Sequence, residues 1–247
     1  MNQQALFRFH DSLKDFLPAS RKDGWVSYGF KGQPAVKDAI EAMGVPHPEV
    51  DVVLVNDVPA SFFYLLLERD RVEVYPARSH VSWPESYSFG VLDPAPDKFI
   101  LDVHLGKLAK ALRMLGFDTL YRNDYTDRAI AQVAAEEERV VLTRDVGLLK
   151  QKVIRWGYWL RSQHLAEQLT EVIRHFQLKP GMKPFERCLA CNGKVVPVSK
   201  ESVVDALPPK TKRYFNEFFQ CPSCQRVYWK GSHYDRMQAF VKMARES

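Results

Sequence analysis

From residue 98 to 178 the chain alternates short apolar runs with segments of helical apolar spacing, and three of the runs lead into aspartates. Phe99-Ile100-Leu101-Asp102 precedes a stripe of Leu105, Leu108, Ala109, Leu112 and Leu115, stopped by Gly116. The run Thr119–Asn123 is followed by Asp124 and Asp127, then by Ile130, Val133 and Ala134. Val140 to Arg144 closes on Asp145. Gly157 to Leu160 leads to a helical stripe of Leu165, Leu169, Val172, Ile173 and Phe176, with Ser162 as its candidate cap. Repeated strand–helix units predict a parallel sheet, and hence an α/β fold. Crevices in such sheets open outside the carboxyl ends of the strands.

Asp102, Asp124, Asp127 and Asp145 are all expected at those ends. Gathered carboxylates repel one another unless a cation sits between them. Hard oxygen donors suit Mg²⁺ or Mn²⁺, and such a centre fits phosphodiester chemistry. Taken singly, each aspartate is also an ordinary helix cap, Asp127 and Asp145 above all. Lys107, one turn into the first helix, and Arg144, beside Asp145, are candidate phosphate contacts. For Arg144 a structural ion pair is an equal alternative, because strand alternation points it away from Asp145. His104, near Asp102, reads as a packing or hydrogen-bonding residue.

All four cysteines of the chain lie in two C-x-x-C pairs, Cys188/Cys191 and Cys221/Cys224, with 29 residues between the pairs. No apolar run reaches membrane-span length, and the N-terminus lacks the basic-then-apolar layout of a secretory signal. A reducing, cytoplasmic setting without a membrane is therefore expected, where paired cysteines favour metal over disulfides. The spacing predicts a structural Zn²⁺ held by four thiolates in a zinc ribbon. The long interval predicts an inserted helix or loop between Ser202 and Phe219.

Charge is divided unevenly. Residues 1–97 carry 9 Lys/Arg against 14 Asp/Glu, whereas residues 98–247 carry 26 against 16. A basic excess confined to the second part fits equally a solvated basic face and a polyanion partner such as nucleic acid, and the residues that accompany it favour the second. Within the ribbon, Lys210, Lys212, Arg213, Arg226, Lys230 and Arg236 lie near Tyr214, Phe215, Tyr228 and Trp229. Lys212, Arg213, Trp229 and Lys230 are the candidate RNA contacts, since bases stack on aromatic faces while cations meet phosphates. A small zinc-centred core would instead consume the same aromatics.

The N-terminal part has a different rhythm. Ala5 to Phe9 alternates like a half-buried strand, and Trp25–Phe30, Asp51–Val55 and Val72–Tyr75 are further strands. A helix through Val36, Ala39, Ile40 and Met43 ends near Gly44, and Asn56-Asp57 makes a turn. This ββαββ order resembles the ubiquitin-like β-grasp fold, in its sulfur-carrier branch. Those carriers end in a free Gly-Gly, whereas here Tyr75-Pro76-Ala77-Arg78 runs on. Binding of a partner or of the neighbouring domain is therefore expected of this domain in place of sulfur transfer. Residues 77–97 read as a linker rich in Pro and Ser, whose Trp83, Tyr87 and Phe89 imply that it packs on something.

Phe99-Ile100-Leu101-Asp102, Leu105 to Lys110, Leu112 to Gly116, Asp118 to Asp124 and Leu142 to Asp145 together resemble a PIN-like ribonuclease domain. The branch is the one found at the carboxy terminus of the worm mutator exonuclease. The paired C-x-x-C knuckles and the following Tyr228-Trp229-Lys230-Gly231-Ser232-His233 match the same branch, which also occurs fused behind a β-grasp domain. The resemblance implies a nuclease-type acidic site at Asp102, Asp124 or Asp127, and Asp145.

Four segments follow: a ubiquitin-like β-grasp domain over 1–76, a linker over 77–97, a PIN-like nuclease domain over 98–178 and a zinc ribbon over 179–247. The expected activity is that of a hydrolase, a divalent-metal-dependent ribonuclease using Mg²⁺ or Mn²⁺. The alternative is a non-catalytic RNA-binding adaptor whose β-grasp domain docks a protein.

Overall fold

The computed structural model describes residues 3–90 and 96–246. In chain order the N-terminal elements are β1 (Gln3–Phe9), β2 (Val26–Phe30), α1 (Val36–Ala42), β3 (Val50–Val55), β4 (Val58–Pro59) and β5 (Arg71–Pro76). Next come β6 (Lys98–Leu101), α2 (Gly106–Met114), β7 (Asp118–Leu120), α3 (Asp127–Glu136), β8 (Val140–Thr143), α4 (Val146–Leu149), β9 (Gly157–Trp159) and α5 (Leu165–His175). The C-terminal elements are β10 (Val196–Val198), α6 (Lys200–Val203), α7 (Pro209–Tyr214), β11 (Phe218–Gln220), β12 (Val227–Trp229) and α8 (Tyr234–Glu246). The chain divides into two compact units, Met1–Pro96 with Asp127–Trp159, and Asp97–Thr126 with Leu160–Ser247.

In the first unit, the period-two pattern of β1 sends Ala5, Phe7 and Phe9 to one face, where all three are buried. The strand order is β2-β1-β5-β3-β4, with β1 and β5 parallel and the other pairs antiparallel. Helix α1 closes that face with Val36, Ala39 and Ile40, which join Val53, Val55, Val72 and Val74 in the core. Asn56 and Asp57, at φ of 51° and 67°, make the two-residue turn between β3 and β4. Such hairpin turns need positive φ at both positions, which Asn and Asp tolerate. This is the expected β-grasp arrangement.

The other face of the sheet is covered by the Pro/Ser-rich segment. Val81, Trp83 and Tyr87 pack on Val52, Leu54 and Tyr75. Ser88 Oγ donates to Asp51 at 2.8 Å, and Ser79 Oγ donates to Asp11 at 2.9 Å.

The same unit holds α3, β8, α4 and β9. β8 is buried along its whole length and pairs in parallel with β9, Val141 opposite Gly157. On its side away from β8, β9 meets the β-grasp domain. Trp159 N donates to Glu49 Oε1 at 2.6 Å, and Lys150 Nζ donates to the Glu41 carbonyl at 2.7 Å. His47 Nε2 lies 2.7 Å from the Ile154 carbonyl, and the Phe16 and Trp159 rings are 5.0 Å apart. An exposed strand edge invites unwanted pairing, so this cover protects β9.

In the second unit, β6 and β7 pair in parallel, Phe99 opposite Thr119. The stripe of α2 buries Leu108, Ala109 and Leu112. α5 brings Leu169, Val172 and Ile173 into the core, and Phe176 sets its ring 5.6 Å from Phe99. Gly116 ends the α2 turn at φ +98°, and a Cβ there would come 2.1 Å from the Lys183 carbonyl oxygen. Only glycine fits both demands.

Two local expectations are corrected. The run Thr119–Asn123 is strand only over Asp118–Leu120, because Tyr121 turns away to donate its hydroxyl to the Val103 carbonyl at 2.8 Å. The cap of α5 is His164, not Ser162; Ser162 Oγ accepts from His164 N at 3.0 Å and so shapes the preceding turn. The C-terminal part is a three-stranded antiparallel sheet, β10-β11-β12, whose core of Val203, Leu207 and Phe218 is packed by Phe215 and Trp229. α6 and α7 occupy the long interval between the cysteine pairs.

Candidate functional site

The two C-x-x-C pairs form matching knuckles. Asn192 N donates to the Cys188 carbonyl at 2.9 Å, and Gln225 N donates to the Cys221 carbonyl at 2.8 Å. Asn192 and Gln225 each follow their second cysteine at positive φ, 71° and 61°. The turns bring all four Sγ atoms within 4.8 Å of one another. Cys188 and Cys224 are 3.6 Å apart, and Cys191 and Cys221 are 3.4 Å apart. Metal–sulfur bonds of roughly 2.3 Å in a tetrahedron give sulfur separations of about 3.8 Å. The donor set and spacing therefore fit a metal such as zinc.

Electrostatics prepare one thiolate. Burial raises the Cys188 thiol, but hydrogen bonds from the Tyr228 hydroxyl, 3.0 Å away, and from backbone amides bring it down to about 6. Burial pushes Cys191 up to about 12, with the neighbouring sulfurs adding to the rise. Without a cation, crowded sulfurs cannot all ionise.

The first knuckle is fastened to the α/β domain. Asn192 Nδ2 donates to Asp118 Oδ1 at 2.7 Å, and Thr119 N donates to Asn192 Oδ1 at 2.9 Å. Arg187 pairs with Asp118 at 3.1 Å. Buried Arg113 donates through Nε to the Thr119 carbonyl at 2.9 Å and through Nη1 to the Leu189 and Ala190 carbonyls at 3.2 and 3.0 Å. Arg113 and Asn192 escaped the sequence reading of the site. Arg113 did leave a signal, since it sits four residues after Ala109, on the inward stripe of α2. Asn192 left none.

Asp102 follows β6 and is only 8% exposed. It does not cap α2, whose N-cap is Leu105; its backbone carbonyl accepts from Leu105 N at 2.9 Å. Asp124 is exposed and held by both ends of the Arg122 fork, at 3.0 and 2.8 Å, which keeps its carboxyl below the usual range. Asp127 is exposed in the first turn of α3, where a negative charge suits the helix dipole. Asp145 is exposed and caps α4, its Oδ1 accepting from Gly147 N at 2.7 Å. Asp102 and Asp124 belong to one compact unit, Asp127 and Asp145 to the other. Among the described residues, the four cysteines are the group of three or more Cys, His, Asp or Glu whose ligand atoms share such a short range.

Of the candidate basic contacts, Lys107 is exposed in the first turn of α2. Arg144 is exposed, and its carbonyl accepts from Trp159 Nε1 at 3.1 Å. On α7, Lys212 is half-buried, and Arg213 lies 5.5 Å from the ring of Tyr214, itself 66% exposed. Lys230 pairs with Glu217, while Trp229 is half-buried against the ribbon core.

No curated protein and no solved structure matches the chain. Family models do. The Mut7-C ubiquitin model matches residues 2–82, which takes in the whole five-stranded sheet. The Mut7-C RNAse domain model matches residues 97–241 and suggests a nuclease-like function. Because that second match covers more than half of the chain, from β6 into α8, the protein belongs to the Mut7-C RNAse domain family, here preceded by a Mut7-C ubiquitin domain.

Proposed function

We propose that this protein is a divalent-metal-dependent ribonuclease. The observation that carries the reading is the RNAse-domain match over 97–241, a stretch in which Asp102 follows β6 and Asp145 follows β8. Asp102, Asp145 and one of Asp124 or Asp127 are the residues to hold Mg²⁺ or Mn²⁺. Their carboxylate oxygens are the hard donors these ions take. Asp145 spends Oδ1 on its cap, which leaves Oδ2 for a ligand. Asp124 has both oxygens on Arg122, which favours Asp127 as the third ligand. When bound there, the ion supplies an activated water and neutralises charge on the scissile phosphate.

Lys107 and Arg144 are assigned to the RNA backbone near the strand ends, and Lys212, Arg213 and Lys230 to the backbone along the ribbon, with Trp229 and Tyr214 offering ring faces. Cys188, Cys191, Cys221 and Cys224 are assigned to a structural Zn²⁺. Four thiolates close its coordination and leave no position for substrate. The ubiquitin-like domain is assigned a protein partner, and the reducing cytoplasm is the compartment that suits free thiolates.

The test is cleavage of single-stranded and structured RNA by wild type, Asp102→Asn and Asp145→Asn, with Mn²⁺ or with EDTA. Metal-dependent cleavage lost in both folded variants supports the reading. Equal cleavage by wild type and variants defeats it. RNA bound equally with and without metal, and left intact, indicates the adaptor. Elemental analysis should find one zinc per chain, lost together with C-terminal stability in Cys221→Ser.

A further inference from the structure

One groove has none of the candidate aspartates or cysteines in its lining. It runs between the β-grasp loop at 61–63 and the loop at 152–156, both within the first compact unit. Its volume is about 370 Å³, within the range of small-molecule sites, roughly 300–1,000 Å³.

Aromatic rings line it. Phe62 and Phe89 have ring centroids 4.3 Å apart. Phe63 stands 85% exposed on one lip, and Val153 is 56% exposed on the other. Two large apolar side chains held this far into water on facing lips mark a contact surface.

Charge narrows the choice of partner. The loop Lys150-Gln151-Lys152-Val153-Ile154-Arg155-Trp156 holds three basic residues and no acid. Lys152 and Arg155 line the groove and are exposed, with the Arg155 guanidinium 4.4 Å from the Trp156 ring centroid. None of the groove's lining residues is a carboxylate. This rim belongs to the basic second part of the chain, 26 Lys/Arg against 16 Asp/Glu over 98–247. Open ring faces beside cations are what an unpaired nucleotide requires: stacking for the base and countercharge for the phosphate.

We infer that this groove is a subsite for single-stranded RNA, with Phe63 stacking a base and Lys152 and Arg155 holding adjoining phosphates. The inference rests on the ribonuclease reading and adds to it a grip outside the RNAse-domain aspartates and the ribbon. It assigns the ubiquitin-like domain a share in substrate capture.

The test uses the full chain, a fluorescein-labelled single-stranded RNA oligomer and no added Mg²⁺ or Mn²⁺, with a gel to verify that the oligomer stays intact. Phe63→Ala should weaken binding about fivefold or more. The double variant Lys152→Ala/Arg155→Ala should lower the slope of log affinity against log salt by about 1.4, for two lost phosphate contacts on a single strand. All three side chains are exposed, so melting curves should match wild type. A 4-thiouridine oligomer should crosslink to peptides covering 61–64 or 152–156.

Wild-type affinity and salt slope in both folded variants, with crosslinks elsewhere, overturn the inference and leave the ribonuclease reading standing. Loss of an acidic protein partner by Phe63→Ala, with RNA binding unchanged, reassigns the groove to protein. A wild-type chain that neither binds nor cleaves RNA removes both readings together.

Discussion

The side-chain amide of Asn192 donates to Asp118 Oδ1 over 2.7 Å, across 74 residues of sequence. Asn192 directly follows Cys191, and Asp118 opens β7. The outer edge of β7 is thus completed by a cysteine knuckle, with Thr119 N on Asn192 Oδ1 and the Thr119 carbonyl on Arg113 Nε. The ribbon acts as a missing neighbour for an edge strand of the nuclease-type fold. The cysteine cluster and the strand that leads to Asp124 are therefore one structural piece.

Asn192→Ala should cost about 2–4 kcal/mol. Asn192 is 5% exposed, so its loss leaves the buried Thr119 N without its acceptor and removes one donor from Asp118, worth about 1–3 kcal/mol. Alanine at a φ of 71° adds roughly 1 kcal/mol of backbone strain. Urea unfolding measures the change, and an unaltered midpoint would contradict the edge-closing role.

Metal removal should be felt at β7. The Thr119 amide is buried and bonded to the knuckle. Its hydrogen exchange should be slow in zinc-loaded protein and faster by at least about tenfold after chelation. Amides of β1 and β5 should not respond, since both strands belong to the other compact unit and supply no residue to the cluster. Uniform acceleration through both units would mean that the whole fold, not one edge, depends on the metal.

Glu49→Ala should destabilise the first unit by about 1.5–3 kcal/mol, the worth of a hydrogen bond to a charged group. Glu49 is 5% exposed and takes the Trp159 amide at 2.6 Å. Trp159 fluorescence should shift towards that of a solvated indole before the main transition. A variant as stable as wild type would show that the β-grasp domain is not needed to seal β9.

Gly116→Ala should be among the most damaging single-methyl changes in the chain, at about 3 kcal/mol or more. The backbone sits at φ +98°, and the new Cβ would meet the Lys183 carbonyl oxygen at 2.1 Å. Thermal unfolding reads the loss. A fall in Tm below about 4 °C would be too small for the proposed clash.

Asp145→Asn separates two roles of one residue. Asparagine caps helices as well as aspartate does, so stability should stay within about 0.5 kcal/mol of wild type. Metal-dependent cleavage should fall about a hundredfold or more, since a catalytic cation supplies several kcal/mol to the transition state. Full activity in this variant would reduce Asp145 to its cap.

Much of the fold was open to sequence reading because it depends on local rules. Period-two burial in β1, the stripe of α2 and the Asn56-Asp57 turn are each set within a few residues, and each is found as expected. The cysteine pairs were equally legible, because a C-x-x-C turn fixes two sulfurs at short range whatever surrounds it. Three things were decided only by tertiary structure. Tyr121 ends β7 early by reaching Val103, and Asn192 and Arg113 seal the strand's outer edge. The Trp159 amide finds Glu49 across 110 residues. The reason is physical: a strand edge presents the same backbone groups whatever its side chains, so nothing in a strand's own residues names the distant partner that will satisfy them.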